Sequence, residues 1–152
     1  MTDTGSFVIV VGFDGSENSH LALTWALEEA LQHNGQIRVV TAWSKPPLSW
    51  YPALLETAAG EIVAEDSPEK IAGTVQAEAL KAAEDAGVAA TGQVVHSDSP
   101  ASALLDAAKG ADLVVVGARG HGGFNGLHMG SVSTQVIGHA PCPVLVVRPK
   151  AA

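Results

Sequence analysis

The residues with the most chemical character in this chain are the glycines and serines gathered near its carboxyl end. An apolar run, Leu113 to Val116, leads into Gly117-Ala118-Arg119-Gly120. Gly122, Gly123 and Gly126 follow, and Gly130-Ser131-Val132-Ser133 comes after them. Glycine has no Cβ to hold the backbone away from a ligand, and it reaches positive φ at little cost, so successive N–H groups can curl round an anion. Ser131 and Ser133 fall where a helix would begin, and a helix start adds free N–H groups and the positive end of the helix dipole. The chemistry this points to is binding of a phosphate group. By this reading a bulky residue at Gly117 or Gly130 abolishes binding and leaves the fold intact.

A second polar cluster, Asp14-Gly15-Ser16, follows the apolar run Phe7 to Gly12. An ionised carboxylate only accepts hydrogen bonds, so Asp14 suits hydroxyl or amino donors of a ligand and not a phosphate. Its alternative role is to cap the helix that follows. The histidines His96, His121, His128 and His139 match no compact metal-ligand spacing, and the one cysteine, Cys142, lies between two prolines as a small buried filler. No residue is placed by its pattern as a base to activate water, so hydrolysis of a bound phosphate ester or anhydride would be slow at most.

These groups need a frame, and the hydrophobic pattern supplies one. Phe7 to Gly12 reads as a strand buried on both faces. Ser16 caps a helix running to about His33 and ended by Gly35, and Gln36 to Trp43 is a second strand ending in Thr41 and Ala42. Ser44 to Asp66, with three prolines, reads as a long irregular connection carrying Trp50 and Tyr51. Ser67-Pro68 starts a helix to about Ala86, stopped by Gly87; Thr91 to His96 is a third strand. Ser99-Pro100 starts a helix to about Lys109, closed by Gly110. Asp112 to Gly117, Gly130 to His139 and Val144 to Arg148 complete the alternation as strand, helix and strand. Five strands separated by helices predict a single α/β domain over residues 1–152, with an open, doubly wound parallel sheet and helices on both faces, of Rossmann-like type. In such a sheet a ligand lies beyond the carboxyl ends of the strands, where strand order reverses.

Composition narrows the function. The formal net charge is −8 with only 8 Lys and Arg, too few clustered cations for general nucleic-acid binding. Aromatic residues make up 5%, which disfavours a stacking platform for single strands. There is no apolar stretch long enough to span a bilayer, no basic segment before the first apolar run, and one cysteine, so the expected compartment is the cytoplasm.

The spacing Gly-x2-Gly-x9-Gly-Ser from Gly117 to Ser131, the flanking strands, and Val8-Ile9-Val10-Val11-Gly12-Phe13-Asp14-Gly15-Ser16 at the start resemble the universal stress protein family, in its ATP-binding class. The resemblance implies strand order 3-2-1-4-5 and nucleotide contacts at Gly12, Asp14, Ala42, Val116, Gly117, Arg119, Gly120, Gly130, Ser131, Val132 and Ser133. Ala42 would offer its backbone to adenine, and Arg119 its planar fork to phosphate. It implies ATP with Mg²⁺ as ligand, a regulatory or sensor role in the stress response, and a homodimer through Val144, Leu145, Val146 and Val147. Other readings are a cyclic nucleotide such as cAMP in the same crevice, or an ATP-hydrolysing or adenylyl-transferring enzyme of related architecture. That enzyme places its phosphate signature after strand one, where this chain has neither lysine nor a glycine-dense turn. A receiver module wants an acidic cluster after strand one and a phosphorylatable Asp after strand three, which Asp14 and Asp98 match poorly.

Overall fold

In the computed structural model, which describes residues 6–44, 67–118 and 130–150, strands and helices alternate. They are β1 (Val8–Gly12), α1 (Glu17–His33), β2 (Gln36–Trp43), α2 (Pro68–Asp85), β3 (Ala89–His96), α3 (Pro100–Ala107), β4 (Leu113–Gly117), α4 (Ser131–His139) and β5 (Val144–Val147). The strands form one sheet in the order β3-β2-β1-β4-β5, with every pairing parallel. The segment 45–66, with Trp50 and Tyr51, lies outside the described residues, as do Arg119, Gly120, His121 and His128.

The serine signals at the helix starts act as the sequence predicts. Ser16, Ser67 and Ser99 each accept a hydrogen bond from the backbone N–H three residues on, at Ser19, Lys70 and Ser102, which supplies a partner to a donor the helix itself cannot satisfy. Pro68 and Pro100 open their helices, where the missing N–H costs nothing. The end of α1 differs from expectation. Asn34, not Gly35, takes the left-handed conformation with φ 51°, and the Gly35 N–H returns to the Ala30 carbonyl at 2.8 Å. Gly35 is required for another reason: a Cβ there would stand 2.5 Å from the Phe7 carbonyl oxygen, which accepts from the Gln36 N–H. Strand β3 begins at Ala89, two residues before the expected Thr91, because Gly87 (φ +75°) turns the chain straight out of α2.

The sheet divides the core into two layers. Ile9, Val11, Ile37, Val39 and Val115 face α1 and α2; Val10, Val40, Val114 and Val116 face α3 and α4. Strand β1 lies at the centre, and Ile9, Val10 and Val11 are fully buried. Burying such a side chain contributes about 1.5–3 kcal/mol, which is why consecutive apolar residues, not alternating ones, mark this strand. Arg38 is spent inside the fold: its Nη1 donates to the Ala107 carbonyl at 3.1 Å, a cation at the carboxyl end of α3. No described helix is long and apolar enough to cross a membrane.

Candidate functional site

Strand order reverses between β1 and β4, since β1 continues to β2 on one side while β4 lies on the other. Strand β1 is also the first to stop. Its last pairs are Gly12 with Val40 on β2 and Val11 with Val115 on β4, whereas β2 runs on to Trp43 and β4 to Gly117. A slot therefore opens beyond β1 between two longer strands, about 9.6 Å apart at twice the normal strand spacing.

Which backbone groups face this slot follows from the alternation of a strand. The Phe13 N–H donates to the Val40 carbonyl at 3.0 Å, so Val40 turns its peptide groups towards β1, and Ala42, two residues on, turns its own the same way. On β4, Val114 and Ala118 donate to β5, at the Pro143 and Val147 carbonyls. Val115 and Gly117 accordingly face β1, and Gly117 lies past the last β1 pair. Ala42 and Gly117 thus direct N–H and C=O groups into the slot from opposite walls. Val116, by the same parity, has its backbone in the β4–β5 ladder and its side chain against α3 and α4.

The floor is the turn from β1 into α1. One carboxylate oxygen of Asp14 accepts from the Ser16 N–H at 2.9 Å, and the Asp14 N–H reaches the Ser19 hydroxyl at 3.3 Å. Gly15 has φ +82°, a conformation that a side chain disfavours. Ser16 caps α1 and Asp14 holds Ser16, so Asp14 supports the cap from two residues further out. It remains half-buried at the mouth of the slot.

The fourth wall is the start of α4. The Ala118 carbonyl accepts from the Gly130 N–H at 2.7 Å and from the Ser133 hydroxyl at 3.0 Å, so the two ends of the glycine-rich segment are tied together. Ser133 is 1% exposed and also lies 3.1 Å from the Gly130 carbonyl; its hydroxyl is turned inward, to the protein. Ser131 is exposed and Val132 half-buried. Gly130 stands at the N-cap of α4 and has no side chain to cap it, unlike the serines of α1, α2 and α3.

The spacing of the glycines has a second cause that sequence reasoning missed. A Cβ on Gly117 would lie 2.8 Å from both the Cβ and the carbonyl oxygen of Asn18, and one on Gly12 would lie 3.1 Å from a Leu104 methyl. Gly117 lets α1 close onto β4, so a bulky residue there strikes the fold itself, contrary to expectation. Also missed were Thr41 and Gln76, polar residues at 3% and 6% exposure. The Thr41 hydroxyl donates to the Phe13 carbonyl at 2.9 Å, and the Gln76 amide reaches the Gln93 and Val39 carbonyls at 2.6 and 3.2 Å and Thr41 at 3.4 Å. A threonine in a strand and a glutamine in a helix carry no sequence signal of this kind.

Among the described residues no group of three His, Cys, Asp or Glu could hold a metal ion. His96 stacks on Trp43, with ring centroids 4.3 Å apart, at the carboxyl ends of β3 and β2. Cys142 is half-buried, and burial first, then the negative charge of Asp112, push its thiol above the usual range, which disfavours a nucleophilic role.

A slot of this form at the reversal of a 3-2-1-4-5 sheet occurs with a matching sequence pattern: the family model described as "Universal stress protein family" matches residues 7–148. The chain belongs to the universal stress protein family. Universal stress protein Rv1996 of Mycobacterium tuberculosis is 37% identical over 147 residues, covering 92% of this chain and 43% of that protein, so the chain spans less than half the length of that relative. A universal stress protein of Thermus aquaticus is 36% identical over 142 residues, covering 92% of this chain and 97% of its own. Among solved structures, a universal stress protein in complex with cAMP superposes with TM-score 0.65 at 28% identity, over 93% of this chain and 96% of that one. A family protein from Arabidopsis thaliana with AMP bound shares the fold, with TM-score 0.66 at 18% identity over 95% and 93% of the two chains. Structural relatives of this universal stress protein therefore bind adenine nucleotides.

Proposed function

We propose that this universal stress protein binds ATP with Mg²⁺ in the slot beyond β1 and acts as a nucleotide-dependent regulator or sensor in the stress response. The observation that carries the reading is the pair of backbone edges, Ala42 and Gly117, facing one another over Asp14 at the strand-order reversal. The adenosine end would lie between Ala42 and Asp14, where peptide groups read the base edge and a carboxylate accepts from ribose or the adenine amino group. The polyphosphate would extend along Gly117 towards the start of α4, with Arg119, Gly120, Gly130, Ser131 and Val132 around it and Mg²⁺ held by phosphate oxygens. Ser133 would serve this end through the bond that ties Gly130 to Ala118. An acidic protein binds an anion only through such local donors, since its net charge of −8 opposes approach at long range.

The role is one of binding, with at most slow hydrolysis, and cytoplasmic action fits the single free cysteine. A dimer through β5 would give nucleotide occupancy a surface on which to act. A cAMP-binding role is the second reading, favoured by the relative solved with cAMP. Titration calorimetry of the folded protein with ATP and Mg²⁺, AMP and cAMP tests both. We expect ATP to bind most tightly. A preference for cAMP would establish the second reading, and no binding of any of them at millimolar concentration would overturn both.

A further inference from the structure

We infer that Thr41 is the positioning residue that ends the β1–β2 ladder and so leaves the Ala42 peptide edge to the ligand. The inference rests on the nucleotide-binding reading above and assigns a residue that the family motif does not include. The ladder between β1 and β2 stops at Gly12 with Val40. Continued by one step, it would have the Phe13 carbonyl accept the Ala42 N–H, since residues facing the neighbouring strand alternate. That carbonyl instead accepts the Thr41 hydroxyl at 2.9 Å, a buried bond from the residue just before Ala42. A side chain thus holds the carbonyl at the point where the next backbone rung would have formed, and keeps it turned from the Ala42 N–H. The ladder is cut at the point where β1 must turn into Asp14.

The direction of the Thr41 proton is assisted from below. A hydroxyl has one donor, and where its oxygen accepts, its proton is driven to another partner. The Gln76 amide approaches the Thr41 oxygen at 3.4 Å from α2. It approaches the Gln93 and Val39 carbonyls at 2.6 and 3.2 Å. Two amide protons serve three acceptors, so the contact with Thr41 is the weakest of the three and Gln76 assists more than it determines. Gly92 makes room for this amide, because a Cβ there would collide with the Gln76 side chain. Thr41 therefore fixes two groups that flank the slot: the turn at Phe13-Asp14, by direct bond, and the Ala42 edge, by keeping it out of the ladder.

The test compares Thr41→Val, which has the same shape without the hydroxyl, with Thr41→Ser, which retains it. AMP is the probe, because it carries the adenosine end alone. We expect Thr41→Val to weaken AMP about three- to tenfold, the worth of one hydrogen bond, and Thr41→Ser to restore most of it. A second measurement needs no ligand: amide exchange by NMR. In Thr41→Val the Ala42 N–H can bond the Phe13 carbonyl, so its exchange should slow relative to the wild type. Thr41→Ala serves the same purpose if the valine variant does not fold. If the wild type binds AMP and Thr41→Val binds it equally, or Thr41→Ser is as weak as Thr41→Val, the inference is overturned. If the wild type binds none of ATP, AMP and cAMP, the binding reading fails, and unchanged Ala42 exchange in the variant would overturn the ladder argument on its own.

Discussion

Replacing Gly117 by alanine separates the two explanations for a glycine at the end of β4. If the residue serves only the ligand, alanine should leave stability unchanged. The structure requires otherwise. The new Cβ would stand 2.8 Å from the Asn18 Cβ and carbonyl oxygen, and restoring an ordinary contact of 3.4 Å needs a shift of about 0.6 Å. The colliding groups belong to the first turn of α1, whose inner face is packed into the core through Ala22, Leu23 and Ala26, so the shift cannot be local. Overpacking of this kind costs about 1–3 kcal/mol. For a chain of this size 1 kcal/mol moves the melting temperature by about 2–4 °C, so a fall of about 2–12 °C is expected. Thermal unfolding followed by circular dichroism reads it, with Gly73→Ala as control. Gly73 lies in α2 with nothing within 4 Å of a new Cβ, and alanine there should stabilise by about 0.5–1 kcal/mol. Asn18→Gly, added to Gly117→Ala, removes one colliding atom and leaves the carbonyl, so it should not restore the melting temperature. A Gly117→Ala protein as stable as the wild type, or full restoration by Asn18→Gly, would refute the reasoning.

Two further outcomes are expected. Asp14→Ala should weaken ATP about ten- to a hundredfold and also lower stability, because the Ser16 N–H loses its acceptor; Asp14→Asn, which can keep that bond, should retain stability and still lose affinity, as calorimetry and a melting curve on each variant will show. For the proposed dimer, Val146→Pro is the informative change. Pro143 and Val147 accept from β4, so Val144 and Val146 direct their peptide groups to the open edge, and proline at 146 removes an edge donor without touching the β4–β5 ladder. Light scattering should give about twice the chain mass of 15.5 kDa for the wild type and a monomer for the variant; a wild type monomeric at micromolar concentration with ATP removes β5 from the assembly.

The sequence by itself determined the elements and their order, because the signals are local. A serine followed by proline starts a helix through the geometry of its own next three residues, and Val8 to Val11 reads as a doubly buried strand because every residue in it is apolar. The strand order was legible only through resemblance to a family, and the sheet of the structure has that order. Of the candidate residues at the slot, Gly117 and Asp14 stood out by their own chemistry and Ala42 was named on the same ground as the strand order; the fold brings them to the carboxyl end of β1 from three separate elements. What the tertiary structure alone decided is which of their groups are used and why. Strand parity assigns the Ala42 and Gly117 peptide edges to the slot and the Val146 edge to the outside, and parity depends on register, which a sequence does not print. The Asn18 contact that demands Gly117, the hydroxyl of Thr41 at the Phe13 carbonyl and the inward turn of Ser133 join residues 99, 28 and 15 positions apart. Such contacts exist only once α1 and β2 have closed on β1 and β4. A pattern read along the chain shows that a glycine or a serine is present; only the folded neighbours show whether it is there for a ligand or for the protein.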